Sequence, residues 1–272
     1  GILDELYTNA YFSLPLIMDG CYLNLKEGVW PDEEFDIILA AVECNLNYLD
    51  LLYKLYPSAV IVGQFKETWN HNISIRNSVI QNTTAFATPF LKSNFIDQYG
   101  LTTPSHHFRI PVPVDSKYLQ NKFYVEKEQK IFDYGNYWAH GRDSSQNIEV
   151  LNNINLESIF YQSKDPVDFI KHWARCRFML NIDKSSQYGL QSIQCSCLDT
   201  IMIGGNNDCQ QVLFPELTGT DTKILTTKLN DLINDPDLQS VTLNYAAKKY
   251  NEYYSFTAVK SAILEMYHKL KS

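Results

Sequence analysis

The chain has 272 residues, of which 45% are hydrophobic and 20% are charged, and its formal net charge is −8 at pH 7. This length allows one large or two modest domains with an ample core, and the acidic balance argues against a long footprint on duplex DNA. The apolar runs are too short to span a bilayer and no charged-then-apolar leader opens the chain, so we expect neither a membrane span nor a signal peptide.

The first half predicts alternating helices and parallel strands. Its clearest element is the nearly all-apolar run at 35–42, which is typical of a parallel strand buried on both faces. The other elements expected there, in chain order, are a helix at 2–18, a strand at 21–25, a helix at 47–55, a strand at 59–64, a helix at 71–80, a strand at 84–87 and a helix at 94–99.

A proline-rich segment, Phe108 to Asp115, separates the two halves. Proline holds its neighbours extended, so FRIPVPVD predicts a stiff, non-helical crossing between domains. We place the boundary near 112–126, with a first domain at 1–115 and a second domain at 116–272.

The second half again alternates strands and helices. Asp165-Pro166-Val167-Asp168 is a helix start, because it combines a capping residue, a proline in the first turn and an acid. The expected strands are at 130–134, 158–161, 178–182, 200–203 and 223–225, and the expected helices at 145–153, 165–175, from about 189, 227–234, 236–254 and 257–270. The fold class is therefore α/β, with two Rossmann-like domains.

Six cysteines show no metal-binding spacing. Cys195 and Cys197 are the only close pair, and no histidine lies near them. We interpret all six as reduced, mostly buried thiols, which predicts a cytoplasmic protein, or one of the host cytoplasm if the chain is viral.

Ligands of a doubly wound sheet bind outside the carboxyl ends of its strands. In the first half, this rule selects the polar residues Asp19, Glu43, Lys66, Glu67 and His71. In the second half, it selects Arg142, Asp183, Lys184, Ser185, Ser186, Gly204, Gly205 and Asn206. Two such sets facing across a cleft would suit a ligand with two chemically different ends.

The stretch from 178 to 215 carries a resemblance to a known family. Gln187-Tyr188-Gly189-Leu190 stands where glycosyltransferases of the GT-B fold have Gly-Phe-Gly-Leu, and Cys195-Ser196-Cys197 stands where they have Ala-Met-Ala. The apolar run 200–203 and Gly204-Gly205 match the family's next strand and glycine loop. The chain thus resembles the retaining, glycogen-synthase-like group of GT-B enzymes, as a compact, viral-like member.

Two further segments are similar to the same family. Residues 110–115 match the Ile-Pro-x-Pro-Val-Asp segment at which GT-B chains enter their second domain, and Gly141-Arg142 matches the Gly-Arg after that domain's first strand. An arginine fork pairs well with a diphosphate. The resemblance covers 108–255 closely and 35–107 by pattern only.

The chain also departs from the family. Two family glutamates, eight positions apart, fall on Ser186 and Gln194, and the lysine expected shortly after Arg142 is missing. In retaining members, the glutamates contact the donor sugar and ribose. Gln194 can still bond a ribose hydroxyl, and Lys184 is the candidate replacement for the missing lysine.

The resemblance implies transfer of a sugar from a nucleotide-diphosphate sugar, such as a UDP- or GDP-sugar, to a hydroxyl acceptor such as a glycan, with retention. No Asp-x-Asp signature of the metal-dependent class follows a predicted strand, so neither a metal nor another cofactor is expected. The expected donor-binding residues are Arg142, Lys184, Ser186, Tyr188, Gly189, Gln194, Gly204 and Gly205. The candidates for the catalytic base are Glu43, Glu67 and His71.

Two other functions remain open. A phage-type enzyme that glycosylates DNA bases would need a basic cleft, for which Lys117, Lys122, Lys127 and Lys130 are available among interleaved acids. A non-catalytic binding module of the same fold would explain the lost glutamates. Several candidates also have ordinary structural interpretations: Tyr188 as a core residue, Glu43 as a helix cap, and His106 and His107 as structural residues.

Overall fold

The computed structural model describes residues 14–21, 30–41, 46–64, 73–89, 106–134, 145–161, 165–182 and 188–272. The chain divides into two compact units. The first contains Tyr11–Pro113 and Phe256–Ser272, and the second contains Val114–Ser255. Among the described residues, none of the helices combines the length and the apolar composition that crossing a membrane requires.

Each unit is built on one four-stranded sheet. The elements of the first unit are α1 (Leu14–Ile17), β1 (Ile37–Ala41), α2 (Leu46–Leu55), β2 (Val60–Gln64), α3 (Ile73–Gln81), β3 (Ala85–Thr88), β4 (His107–Arg109) and α11 (Phe256–Lys271). Those of the second are α4 (Ser116–Phe123), β5 (Glu128–Asp133), α5 (Ser145–Leu151), β6 (Glu157–Ile159), α6 (Pro166–Trp173), β7 (Cys176–Leu180), α7 (Leu190–Cys197), β8 (Ile201–Ile203), α8 (Asp208–Leu213), a 3-10 turn (Pro215–Leu217), α9 (Thr222–Asn234) and α10 (Pro236–Tyr253).

The first sheet is parallel throughout, with the sequential order β1-β2-β3-β4. Right-handed crossovers that all step in one direction leave their helices on one face, and α2 and α3 accordingly pack together. The opposite face carries alternate strand residues such as Val62 and Ala87, which form a core with α1 and α11. Val259, Ile263 and Met266 of α11 are fully buried in that core.

The predicted domain boundary needs one correction. The change of unit at 113/114 lies within the proline-rich crossing, but 256–272 were assigned to the second domain and belong to the first unit. The cause is the sequential strand order, because the crossovers leave one sheet face bare and the apolar side of α11 covers it.

The second sheet is also parallel, but its order is β6-β5-β7-β8. The chain leaves β5 toward β6 on one side and returns to β7 on the other, so successive crossovers run in opposite directions. Helices must then lie on both faces. Asp133 of β5 bonds Asn147 of α5, whereas the neighbouring Phe132 contacts Phe169 of α6 at 5.5 Å between ring centroids on the other face.

One strand was predicted wrongly. Residues 223–225 lie inside α9, whose first turn is capped by Asp221, with Oδ1 accepting from the amides of Lys223 and Ile224. Leu225 is buried by helical packing and not by strand pairing. The helices α4 and α8 were not predicted, and the expected strand at 21–25 and helix at 94–99 lie outside the described residues, apart from Cys21.

Candidate functional site

The carboxyl ends of β5 and β7 form the frame of the candidate site. The two strands are adjacent, Asp133 pairs with Leu180 in register, and the amide of Tyr134 donates to the Leu180 carbonyl at 3.0 Å. The crossovers diverge between these two strands. Such a topological switch point opens a crevice at the carboxyl edge of the sheet, and that crevice is where α/β proteins of this type bind ligands.

Asn147 joins the two strand ends. Its Nδ2 donates to Asp133 Oδ1 at 2.6 Å and to the Leu180 carbonyl at 3.2 Å, and its Oδ1 accepts from the amide of Ile182 at 3.0 Å. Asn147 is 1% exposed and Asp133 is 4% exposed. The edge is therefore held by a buried polar network, in which each unmade bond would be costly.

Asn181 supplies a second buried amide at the same edge. Its main-chain N–H donates to the Ile203 carbonyl at 2.9 Å, which extends the pairing of β7 with β8. Its side chain is buried, and Oδ1 has no hydrogen-bond partner within the part of the chain that the structure describes. Strand alternation puts Asn181 on the face of Met179, whose Sδ lies 3.6 Å from Cys195 Sγ of α7.

Glycine is required where the chain enters α7. Gly189 occupies the N-cap position of α7 in the left-handed region, with φ of 88°, and the helix start has no side-chain capping hydrogen bond. A Cβ added there would lie 1.8 Å from Asn207 Oδ1. Asn207 in turn caps α8 through the amide of Gln210 at 2.8 Å and approaches Ser192 Oγ at 3.2 Å. The predicted Gly-Leu helix start is thus fixed by contact with the loop after β8.

The glycine loop after β8, which contains the expected donor-binding residues Gly204 and Gly205, makes main-chain hydrogen bonds within the second unit. Gly204 and Gly205 have φ of 87° and 81°, and a Cβ on Gly204 would lie 2.9 Å from Ile182 Cγ1. However, their N–H groups donate to the carbonyls of Leu217 at 2.8 Å and Gly219 at 2.9 Å. These two amides are therefore already hydrogen-bonded. The contribution that remains for the loop is to let its backbone lie close to a bound nucleotide-sugar, because glycine has no side chain.

Tyr188 and Gln194 are both buried. Tyr188 is 4% exposed, and its carbonyl accepts from the Cys209 amide at 3.0 Å, which agrees with its alternative interpretation as a core residue. Gln194 is 7% exposed in the buried part of α7. Its side chain makes no hydrogen bond with the described residues, so its amide keeps its bonding capacity.

Six of the expected donor-binding and catalytic residues lie outside the described residues: Glu43, Glu67, His71, Arg142, Lys184 and Ser186. In the sequence they lie in the segments that follow described strands. Glu43 follows β1, Glu67 and His71 follow β2, Arg142 lies between β5 and α5, and Lys184 and Ser186 lie between β7 and α7. Since β1 pairs with β2 and β5 with β7, both parallel, the strand ends that precede each group lie at one edge of one sheet.

The lysines considered for a basic cleft are largely engaged within the second unit. Lys130 forms ion pairs with Glu128 at 2.7 Å and Glu157 at 3.1 Å. Lys127 is largely buried and donates to the Ala174 carbonyl and to Thr200 Oγ1 at 3.1 Å. Burial lowers the pKa of Lys127 to about 8. These two lysines do not form part of an open cationic surface.

The one Asp-x-Asp triplet of the sequence, Asp235-Pro236-Asp237, is a helix start. Asp235 Oδ1 accepts from the amides of Asp237 and Leu238, both at 2.9 Å, so this triplet performs an ordinary capping role.

The described cysteines are free thiols. Cys176, Cys195, Cys197 and Cys209 are buried, whereas Cys21 is exposed. Burial raises the pKa of Cys176 to about 11, and it raises the pKa of both Cys195 and Cys197 above their ordinary range. Such thiols are unreactive at neutral pH, which agrees with the interpretation of these four as core residues.

Sequence reasoning missed Asp133, Asn147, Asn181 and Asn207. Each is a polar residue that is buried at the carboxyl edge of the second sheet. A weak signal existed for Asn181, because it interrupts the apolar run from Phe178 to Ile182. A buried polar side chain at the end of a parallel strand needs a hydrogen-bond partner. In a doubly wound sheet the carboxyl end of a strand lies at the edge where ligands bind, so such a residue is a candidate for the site.

No family model matches the sequence, and a search of curated proteins gives no match. Solved structures do match. Anabaena HepE, in complex with UDP and glucose, has a TM-score of 0.66 at 8% identity, over 86% of this chain and 78% of HepE. A glycosyltransferase from Rickettsia africae has a TM-score of 0.63 at 12% identity, over 98% of this chain and 82% of that chain.

A third similar structure is an alpha-glucosyltransferase in complex with UDP and a 13-mer DNA containing a HMU base. Its TM-score is 0.55 at 9% identity, over 87% of this chain and 80% of that chain. At these identities the likeness concerns the fold. The chain thus has the α/β fold of two parallel-sheet units that is found in glycosyltransferases of the GT-B type.

Proposed function

We propose that the protein is a glycosyltransferase that takes a sugar from a nucleotide-diphosphate sugar bound at the carboxyl edge of the second sheet. The observation that carries the proposal is the topological switch point between β5 and β7, in a fold shared with UDP-binding glycosyltransferases. The residues implied by the resemblance, Arg142 and Lys184 among them, occupy the segments that follow these two strands.

The chemistry of a diphosphate leaving group suits this edge. Negative charge develops on the leaving group during transfer, and pre-aimed cations and N–H groups lower that barrier. Arg142 and Lys184 would supply the cations. The first turn of α7 contains no acidic residue, so its amino-terminal dipole is free to favour an anion.

UDP is the first nucleotide to test, because the similar structures of HepE and of the alpha-glucosyltransferase with DNA are both complexes with UDP. Gln194 would bond the ribose, in the place where retaining members have a glutamate. Retention of configuration is proposed on the same motif resemblance, and independence of metal is proposed because no Asp-x-Asp signature follows a predicted strand. Tyr188, Gly189, Gly204 and Gly205 would shape the donor site rather than bind through free polar groups.

The acceptor would meet the first unit. Glu43, Glu67 and His71 follow β1 and β2, which are paired from Ile37 to Ala41 of β1. One of these three side chains would accept the proton of the acceptor hydroxyl, and a glycan is the acceptor we propose.

A DNA acceptor is the second candidate, favoured by the structural likeness to an enzyme in complex with a DNA 13-mer. Against it stand the net charge of −8 and the engagement of Lys127 and Lys130 within the second unit. Binding of a nucleotide-sugar without turnover would instead indicate a binding module.

The test is a thermal-shift panel of UDP-, GDP-, ADP- and dTDP-sugars on the wild type and on Arg142→Ala. A ligand that binds only the folded state raises the melting temperature with its affinity. We expect one nucleotide class to stabilise the wild type and to lose most of that effect in Arg142→Ala. Lys117→Ala, on the exposed first turn of α4, is the matched control and should respond like the wild type.

Release of free sugar or transfer to an added acceptor, measured with the stabilising nucleotide-sugar, then separates an enzyme from a binding module. Salt-dependent binding of a hydroxymethylated DNA duplex would move the acceptor from glycan to DNA. A flat response to the whole nucleotide panel would contradict the donor-site proposal.

A further inference from the structure

Asn181 differs from the other buried amides at the carboxyl edge of the second sheet. Asn147 uses its amide nitrogen and its oxygen in three hydrogen bonds, and Asn207 accepts from the amide of Gln210. Asn181 is 5% exposed, but its Oδ1 accepts no hydrogen bond from any residue that the structure describes. A buried acceptor without a partner costs free energy, so a donor from outside the chain would stabilise it.

The main chain of Asn181 is held in place by β8 and the loop that follows it. Its N–H donates to the Ile203 carbonyl at 2.9 Å, and a Cβ added to Gly204 would lie 3.1 Å from the Asn181 carbonyl oxygen. Strand alternation puts the Asn181 side chain on the face of Met179, whose Sδ lies 3.6 Å from Cys195 Sγ of α7. The side chain therefore lies on the face of the sheet that α7 covers.

The first turn of α7 lies beside this side chain. From Met179 to Asn181 the strand advances about 6.6 Å, a distance that about four helical residues span. A crossover helix runs back along the parallel strands that it joins, so Asn181 is level with the residues about four positions before Cys195, in the first turn. That turn has no acidic residue and no side-chain capping hydrogen bond.

The polar side chains around this turn are bonded to one another. Ser192 Oγ lies 3.1 Å from Met202 Sδ, 3.2 Å from Asn207 Oδ1 and 3.1 Å from Gln210 Oε1. Gln210 Nε2 donates to the Met202 carbonyl at 2.7 Å. This network is complete without Asn181, which leaves the Asn181 oxygen available to a ligand that enters at the carboxyl edge.

The two kinds of polar group at this place select different parts of a nucleotide-sugar. Oδ1 of an asparagine only accepts hydrogen bonds, and the oxygens of an ionised diphosphate also only accept, so the two do not bind each other. The N–H groups of a helix start suit the phosphates, whereas Oδ1 requires a donor. The neutral O–H donors of a nucleotide-sugar are the hydroxyls of its ribose and of its transferred sugar.

We propose that Asn181 is a binding residue of the donor site, whose Oδ1 accepts a hydrogen bond from a hydroxyl of the bound nucleotide-sugar. This inference rests on the proposed function, because it assigns the donor to the carboxyl edge of the second sheet. The hydroxyl belongs to the ribose or to the transferred sugar. Binding supplies the partner that folding leaves out, so Asn181 contributes to ligand affinity and not to the stability of the unliganded protein.

The test is isothermal titration of the full chain with three ligands: UDP-glucose, UDP, and 2′,3′-dideoxy-UDP, which lacks both ribose hydroxyls. Asn181→Leu keeps the approximate size of the side chain and removes the acceptor. Asn153→Leu is the matched control, because Asn153 is exposed and its amide donates to the Glu149 carbonyl.

We expect Asn181→Leu to weaken UDP-glucose binding about tenfold, and Asn153→Leu to bind as the wild type does. A ribose contact predicts the same loss with UDP and none with dideoxy-UDP, whereas a contact with the transferred sugar predicts a loss with UDP-glucose alone. An equal loss with all three ligands, or no loss with any, would overturn the proposal. A wild type that binds none of the three would instead remove the donor site, and this inference with it.

Urea denaturation without ligand separates a binding role from a structural one. Because Asn181→Leu replaces an unpartnered buried oxygen with a methyl group, the free energy of unfolding should equal that of the wild type or exceed it. A marked fall in stability with unchanged nucleotide affinity would contradict the proposal. It would show that the oxygen already has a partner in the folded protein, such as a buried water.

Discussion

The two sheets have the same number of parallel strands but are wound differently. In the first sheet every described crossover steps the same way, and in the second the chain reverses between β6 and β7. The sequential sheet has one face that its own crossovers leave bare, and the distant helix α11 covers that face. The reversed sheet has helices on both faces and opens a crevice at one edge.

This difference shows how strand order assigns separate tasks to similar units. In the first unit the winding determines which remote segment completes the core. In the second it sets the switch point at which we propose the nucleotide site, and the amides of Asn147 and Asn181 are buried there. Substitutions in each unit test whether its core, or its proposed site, depends on its strand order in this way.

The largest effect is expected at the edge of the second sheet. Gly189→Ala would force a left-handed backbone on alanine and push Asn207 out of its capping position. Strain, the lost cap and the lost bonds sum to roughly 3–6 kcal/mol of unfolding free energy. Urea denaturation measures the loss.

Gly219→Ala is the matched control for this change. Gly219 also has a positive φ, 124°, but an added Cβ would meet nothing within 4 Å. Its cost should be the backbone strain alone, roughly 1–3 kcal/mol. Equal losses in the two variants would show that the contact of Gly189 with the loop after β8 is unimportant.

A somewhat smaller effect tests the remote helix of the first unit. Ile263→Ala should cost about 2–5 kcal/mol, because Ile263 is 2% exposed in the core beside β2 and β3. Leu264→Ala, one residue later on the same helix and 38% exposed, should change stability by less than about 1 kcal/mol. Hydrogen exchange should locate the loss in β1–β4. Faster exchange confined to β5–β8 would contradict the place of α11 in the first unit.

The smallest effect concerns the amino edge of the second sheet, where Lys127 is buried. Burial lowers its pKa from an ordinary value of 10.5 to about 8. Between these values the unfolded chain binds more protons than the folded chain, so the free energy of unfolding rises with pH. Relative to Lys127→Met, the wild type should gain about 3 kcal/mol from pH 7 to pH 10.5. Parallel pH dependences of the two proteins would show that Lys127 titrates normally.

The sequence was sufficient for most strands. Runs such as VIVGQ and FML are apolar because parallel strands are covered on both faces, and the β-loop-α-β-glycine pattern predicted β7, α7 and β8 in the right order. The domain membership of α11 could not be predicted, since an amphipathic helix shows that it packs but not on which sheet.

The details of the site depended on contacts between residues far apart in sequence. The sequence does not show that the amides of Gly204 and Gly205 donate to the carbonyls of Leu217 and Gly219, which lie more than ten residues further along the chain. The short run at 223–225 suggested a strand. It is helical because Asp221 caps the first turn of α9, and because Leu225 and Leu229 are buried on one side of that helix. Isolated buried amides such as Asn147 carry no periodicity, so pattern analysis does not find them.

The most direct test of the central claim is hydrogen–deuterium exchange of the wild type with and without saturating UDP. The account predicts slower exchange in peptides that contain the carboxyl ends of β5 and β7 and the first turn of α7, with the ends of β1 and β2 unchanged. Protection at the first sheet alone, or at neither sheet, would contradict a nucleotide site at the switch point of the second sheet.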